Sequence, residues 1–233
     1  MPLSRIYNFS SWFKNNVTNN IWSPKAWDSN TNSFTLQFDE HSEDLYLISK
    51  DTCLGISEYL KSIQSFFSYE NVPYIFNINN ESYCFNTNKM YKMYSGEYNK
   101  FFDKDYSPYY IEYVVNDKPT VTKIFDTIEY YGDMFEYDTS SNTFKINHQN
   151  TFDSLDINNE YQTGHLDMCT LLDGKYTYKN IRKKLRQWRA IIPRENGTRN
   201  RIVNPWAKIR ISKNSPKNEK TILHNINVKY STV

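Results

Sequence analysis

Lys123-Ile124-Phe125-Asp126-Thr127-Ile128-Glu129-Tyr130 mixes apolar with polar positions, is rich in β-branched and aromatic side chains, and contains neither glycine nor proline. Such a run suits a half-buried strand. A second stretch, Thr151-Phe152-Asp153-Ser154-Leu155-Asp156, resembles residues 124–129 and likewise ends in an acid. The similarity predicts two strands in equivalent places of one sheet. Outward from residue 121, strand candidates recur about every ten residues, at 34–38, 44–49, 74–78, 82–85, 89–94, 109–115 and 121–130. Turn formers separate them, among them Asn79-Asn80, Asn86-Thr87-Asn88, Ser95-Gly96 and Asn116-Asp117-Lys118-Pro119. This spacing predicts a mainly β protein, an antiparallel sandwich or propeller-blade-like sheets, with little helix. Residues 56–69 are the one expected helix, because Ile56, Leu60, Ile63 and Phe67 keep helical spacing, with strand as the close rival.

Composition agrees with a β fold. Ala26, Ala190 and Ala207 are the only alanines, so the best helix former is nearly absent. Twenty tyrosines and fourteen phenylalanines must supply much of the buried surface. The 233 residues have length for one large β domain or two small ones. Cys53, Cys84 and Cys169 are far apart and fit no metal-ligand spacing, so reduced, buried thiols of a protein made in a cytoplasm are expected. The start carries no signal-peptide pattern. No run approaches the roughly 18 apolar residues of a membrane span.

Charge is distributed unevenly along the chain. Residues 179–213 hold twelve basic side chains and one acid, Glu195. Residues 1–178 carry 13 basic and 24 acidic groups, a balance of −11, whereas residues 179–233 carry 15 and 2, a balance of +13. The total of +2 therefore conceals a polarised chain. Within the basic segment, strands are expected at about 185–192 and 201–211, joined across Asn196-Gly197, with a short helix through Ile181, Leu185 and Trp188 capped by Asn180 as the second reading. A tail hairpin should follow, with Ile209 and Ile211 on one strand and Ile222, His224, Ile226, Val228 and Tyr230 sharing a face of the other. The expected divisions are an arm at 1–31, a β body at 32–150 and a basic β module with its hairpin at 151–233.

The basic segment admits a phosphate-binding surface, a protein interface or a merely solvated face. Arginine with tryptophan favours the interface, since both concentrate at contact hot spots. An acidic remainder of nearly equal charge suggests a basic end meeting an acidic flank on the next copy, a heterologous contact that builds rings. The candidate contacts are Arg182, Arg186, Arg189, Arg194, Arg199 and Arg201, with Trp188 and Trp206 as anchors. Trp12, Trp22 and Trp27 mark the arm as a second docking element.

Catalytic signatures are weak. The four histidines stand at no ligand spacing, and the six glycines form no phosphate loop. Asp126 with Glu129, or Asp153 with Asp156, has the residue types of a glycosidase pair. Residues three apart on a strand point to opposite faces, so solvated strand acids are the better reading. No enzyme, metal or cofactor is expected.

Several segments, taken in order, resemble the tail stabilisation or muzzle protein family of crAss-like and related short-tailed phages of Bacteroidetes. They are Leu54-Gly55-Ile56-Ser57-Glu58, Ser65-Phe66-Phe67-Ser68-Tyr69-Glu70, Met93-Tyr94-Ser95-Gly96-Glu97-Tyr98-Asn99, Lys123-Ile124-Phe125-Asp126-Thr127-Ile128-Glu129, Phe152-Asp153-Ser154-Leu155 and Asn159-Glu160-Tyr161-Gln162. The most specific group is Ile181-Arg182, Trp188-Arg189, Ile192-Pro193-Arg194, Arg199, Arg201-Ile202 and Asn204-Pro205-Trp206. The resemblance implies a structural subunit of the virion, made in the host bacterial cytoplasm and set in a distal tail ring around the DNA exit channel. It implies other tail proteins, copies of itself or a longer homologous subunit as partners, with transient DNA contact, no catalysis and no cofactor. Members are much longer, and the chain corresponds to their C-terminal part. The alternative is a virion module that binds host glycan or nucleic acid.

Overall fold

The structure, a computed structural model, describes residues 35–48, 53–57, 59, 62–67, 69, 72, 74–86, 89–105, 108–214 and 219–233. The chain divides into two compact units, Met1–Gly96 and Glu97–Val233. Every strand pairing is antiparallel, and no helix occurs among the described residues.

In the first unit β1 (Thr35–Asp39), β2 (Asp44–Ile48), β3 (Cys53–Ser57) and β4 (Ser62–Phe67) form a four-stranded meander. A second sheet holds β5 (Tyr74–Ile78), β6 (Glu81–Asn86) and β7 (Lys89–Lys92). The helix expected over 56–69 is not found among the described residues of that segment; Ile56 and Ser57 end β3, and β4 pairs with β3 antiparallel, with a register shift between Gly55 and Ile56. Aromatic packing across strands explains this. The Phe67 ring covers Gly55, where a Cβ would lie 2.2 Å from Phe67 Cε2. Phe67 also stacks on Tyr69 at 5.5 Å and meets Tyr46 edge-on at 5.3 Å. These contacts need Phe67 beside β3, and they outweigh a helical spacing made of residues that favour strands.

Two turns fix the unit. Asn79 and Asn80, at φ 51° and 64°, close the β5–β6 hairpin in the left-handed conformation that asparagine tolerates. Asp39 ends β1 fully buried. It accepts hydrogen bonds from Ser82 Oγ of β6, Tyr94 Oη, Ser42 Oγ at 3.0 Å and the His41 amide at 3.1 Å. Burial pushes its pKa up, but the donors from Ser82, Tyr94, His41 and Ser42 outweigh burial and hold it below the usual carboxylate value.

The second unit begins with β8 (Lys100–Phe101) and β9 (Lys104–Asp105). It continues through β10 (Tyr109–Val115), β11 (Lys123–Asp138), β12 (Thr143–Ile146), β13 (Ser154–Asn158), β14 (Thr163–Asp167), β15 (Cys169–Leu172) and β16 (Lys175–Tyr178). It ends with β17 (Ile181–Lys184), β18 (Gln187–Ile191), β19 (Val203–Asn204), β20 (Ala207–Lys213) and β21 (Glu219–Thr232). One sheet has the order β10-β20-β13-β14. The other is built on β11, the strand with which the sequence reading began. Its one edge pairs with β21 from Lys123 to Glu136, and its other edge takes β19, β18 and β12 in succession, with β17 beyond β18.

The two sheets share one core, as an antiparallel sandwich requires. Phe125, Ile128, Tyr130 and Met134 of β11 and Trp188 and Ala190 of β18 meet Leu155 and Ile157 of β13 and Ala207, Ile209 and Ile211 of β20. Strand β20 alternates buried and half-exposed residues along its whole length, so one face is wholly inward. The repeated segments 124–129 and 151–156 lie in facing sheets rather than in one. Their phenylalanines, Phe125 and Phe152, enter the same core.

The tail also departs from expectation. The C-terminal part has hairpins, β15–β16 and β17–β18, but the tail strands are not partners. Strand β20 pairs with β10 and β13, and β21 pairs with β11. Likewise β18 and β20, on either side of Asn196-Gly197, enter different sheets. Sixteen residues of β11 offer a long edge whose amides and carbonyls need partners, and β21 supplies them. A bulge at His224, between the pairs Tyr131↔Asn225 and Gly132↔Leu223, breaks the expected alternation. Leu223, Ile226, Val228 and Tyr230 therefore pack on the core, while His224 is exposed.

Candidate assembly surface

Antiparallel pairing folds the basic end of the chain back onto its acidic part. Counted by unit, Met1–Gly96 holds 7 basic and 9 acidic residues, a balance of −2, and Glu97–Val233 holds 21 and 17, a balance of +4. The polarity belongs to the chain more than to the surface. Arg201 reaches Asp126 at 3.1 Å, and Arg189 reaches Glu129 at 3.5 Å. Lys208 and Arg210 both bind Glu112, at 3.3 and 2.6 Å, and buried Lys213 binds Asp153 at 2.8 Å. Lys179 lies 3.7 Å from Asp167.

Register accounts for two of these pairs, Arg189 with Glu129 and Arg210 with Glu112, which stand directly opposite each other. Across the outer face of the first sheet, Glu112, Arg210, Asp156 and His165 stand directly opposite one another on β10, β20, β13 and β14, alternating in sign. Arg210 also lies 4.1 Å above the Tyr110 ring. On β11, a bulge between Phe125 and Thr127 leaves Asp126 outside the ladder, where it accepts from Arg201 and from Ser231 Oγ at 2.5 Å.

What remains is smaller and more sharply located. Arg182, Lys184, Arg186, Arg194 and Arg199 are exposed, and among the described residues none lies within salt-bridge distance of a carboxylate. Arg182 stands directly opposite Arg189 across the β17–β18 hairpin, so two like charges face each other. Glu129, opposite Arg189 on the next strand, also binds Lys229 at 2.8 Å. Glu129 is thus shared by Arg189 and Lys229, and Arg182 next to Arg189 is left without a carboxylate among the described residues. At the hairpin tip Leu185 and Arg186 have φ of 49° and 67°. Neither is glycine or asparagine, and each costs about 1–2 kcal/mol in that left-handed region. Leu185 is 91% exposed. Sequence reasoning missed Leu185 as a tip residue, since Leu-Arg is no turn signal; the clue was a single leucine between Lys183-Lys184 and Arg186.

Arg194 and Arg199 sit on a loop that is tied down. Gly164 of β14 admits it: a Cβ there would stand 2.9 Å from the Arg194 carbonyl oxygen and 3.2 Å from Pro193 Cγ. The Asn196 amide donates to the Thr163 carbonyl at 2.8 Å, and Gln162 bonds both the Arg201 carbonyl and the Val203 amide.

Trp188, expected as an anchor, is a core residue at 2% exposure. Its ring meets Tyr178 at 5.3 Å and Lys183 Nζ at 4.9 Å. Trp206 is half-buried. Trp12, Trp22 and Trp27 lie outside the described residues. Cys53, Cys84 and Cys169 are buried and free, with burial pushing the first two thiols up to about 12 and the third to about 11. Among the described residues no group of three or more His, Cys, Asp or Glu side chains is placed to hold a metal ion, and no helix is long and apolar enough to cross a membrane.

Comparison with known proteins matches the division into units. Residues 2–88 match the family model described as crassvirus muzzle protein, and residues 96–195 match that of the crassvirus muzzle protein C-terminal domain. The muzzle protein of Bacteroides phage crAss001 is 36% identical over 231 residues, 99% of this chain. The chain belongs to the crassvirus muzzle protein family. It spans 16% of the length of that muzzle protein relative. The boundary between the two muzzle family matches falls where the structural units meet, at Gly96.

Proposed function

We propose that this chain is a structural subunit of a short-tailed phage tail, one element of a distal ring around the DNA exit channel, and that it acts by protein–protein assembly in the virion. The observation that carries this reading is the β17–β18 hairpin. It holds two residues at positive φ, exposes Leu185, and surrounds it with Arg182, Lys184 and Arg186, none with an acid partner among the described residues. Strain kept at an exposed tip marks a place where shape serves contact rather than stability. Arg194 and Arg199, on their tethered loop, add a second basic point whose position is set before any partner arrives. Arg189 stands opposite Arg182 on the same hairpin, and Arg201 and Trp206 belong to the proposed contact as further basic and aromatic residues, while buried Trp188 holds β18 in place.

A role in assembly rather than catalysis is supported by the carboxylates that sequence spacing suggested for sugar hydrolysis. Three are held by cations, Asp126 by Arg201, Glu129 by Arg189 and Lys229, and Asp153 by Lys213, and Asp156 is hydrogen-bonded to the His165 imidazole at 2.6 Å. Partners in this reading are other tail proteins and copies of itself or a longer homologous subunit. Residues 1–31, with Trp12, Trp22 and Trp27, form a second docking element.

Charge reversal tests the reading. Arg182→Glu with Arg186→Glu is expected to leave melting unchanged and to abolish incorporation into tail particles assembled from phage components. Unchanged incorporation sinks the proposed contact. Deleting residues 1–31 is expected to weaken incorporation, and an unaffected yield removes that arm from the scheme. If the double variant instead loses only DNA binding with a steep salt dependence, the surface contacts phosphate.

A further inference from the structure

A cavity of about 820 Å³ opens in the second unit between the end of β11, the β15–β16 hairpin and the start of β21. Its charges do not balance. Glu136, Asp153 and Glu219 line it, and among the described residues the one cation on the lining, Lys213, is 3% exposed and already held by Asp153 at 2.8 Å. Glu136 Oε1 accepts from Asn147 Nδ2 at 2.9 Å, Asn150 Nδ2 at 3.3 Å and Tyr176 Oη at 2.5 Å, all neutral donors. Glu219 is 93% buried, and its Oε2 has no hydrogen-bond partner among the described residues. Thr170 Oγ1, also on the lining, is buried and has no hydrogen-bond partner among the described residues.

A buried carboxylate oxygen with no donor is costly to maintain in a fold. Two uncompensated negative charges, an orphaned acceptor and an orphaned hydroxyl therefore define what fits: a cation with several hydrogen-bond donors. We propose that this cavity binds a guanidinium or alkylammonium group, with Glu219 and Glu136 as its counter-charges and Thr170 as a further acceptor. A guanidinium has five donors in a planar fork suited to carboxylates. Leu171, 52% exposed, offers a wall for the alkyl stem. The Tyr176 ring, already 5.5 Å from Lys213 Nζ, offers a face to positive charge. An anion is repelled by the lining, and a neutral polyol leaves both charges uncompensated. The site shares no residue with the basic hairpin, so it stands or falls independently of the assembly reading.

The test uses the full chain and L-arginine ethyl ester as probe, at constant ionic strength. The backbone amide signals of Thr170, Gly174 and Asn214 are expected to shift saturably with added ester. Glu219→Gln keeps the shape and removes the charge, and should weaken binding about tenfold or more. Because it removes an unpaired buried charge, this variant should melt no lower than wild type; Thr170→Val, expected to weaken binding several-fold, is the second variant should Glu219→Gln fail to fold. Amides that do not move at millimolar ester overturn the proposal, and so does binding that Glu219→Gln leaves unchanged. Sedimentation identifies the source of the cation. Self-association abolished by the ester and by Glu219→Gln assigns a basic side chain of a second copy, whereas a monomer that binds the ester assigns a free organic cation.

Discussion

Trp188→Ala separates a tryptophan that builds the core from one that waits for a partner. The indole is 2% exposed, it belongs to the cluster formed by both sheets, and it stands opposite Tyr130 on β11. Truncating a buried tryptophan costs about 3–5 kcal/mol, through lost transfer energy and the cavity left behind. Loss of the contact with Lys183 Nζ, 4.9 Å from the ring, adds about 0.5–1 kcal/mol at a partly exposed site. For a unit of this size, the total lowers the melting temperature by about 12–21 °C. Differential scanning calorimetry on wild type, Trp188→Ala and Trp188→Phe measures it. Phenylalanine keeps a ring in the cavity and should recover much of the loss. The reasoning is refuted if Trp188→Ala melts within about 2 °C of wild type while assembly is lost, because the indole then acts at a contact rather than in the core.

Three further perturbations follow from the geometry. The folded pKa of Asp39 lies below its ordinary value of 3.8, so its contribution is complete above that value and is lost as pH falls through the folded pKa. Urea midpoints of the first unit should therefore drop below about pH 4, and Asp39→Asn should flatten that slope while lowering stability at neutral pH. The His165 pKa is raised, first by the hydrogen bond with Asp156 at 2.6 Å and, against opposing burial, also by Asp167. Its stabilisation is present below the ordinary value of 6.5 and is lost as pH rises through the raised one; an imidazole titration by NMR with its midpoint at or below 6.5 would contradict this. Gly164→Ala places a Cβ 2.9 Å from the Arg194 carbonyl oxygen, a backbone atom that must move. It should cost about 1–3 kcal/mol and speed tryptic cleavage after Arg194 and Arg199, which unchanged digestion would disprove.

Much of the architecture was legible because strand alternation is a local property. The segments at 109–115 and 121–130 were readable from side-chain pattern alone, and β10 is Tyr109–Val115. The segment at 56–69 was not, because its helical spacing is also local, and only the Phe67 ring lying across Gly55 decides against it. The assembly surface was half legible. An abundance of arginine was plain, but which arginines are free depends on facing strands. Arg201 and Asp126 are 75 residues apart in the chain and 3.1 Å apart in space.

By itself the sequence determined that the chain is β-rich, that its aromatics must fill the core, and that its second half carries excess positive charge. Those follow from propensity, burial and composition, which need no knowledge of partners. Tertiary structure alone decided that β20 and β21 part into opposite sheets, that Trp188 turns inward, and that half of the basic side chains of the basic segment lie against acids of their own unit. The reason is that strand pairing is non-local: an edge takes whichever strand also completes the common core, and the ion pairs are fixed by that choice.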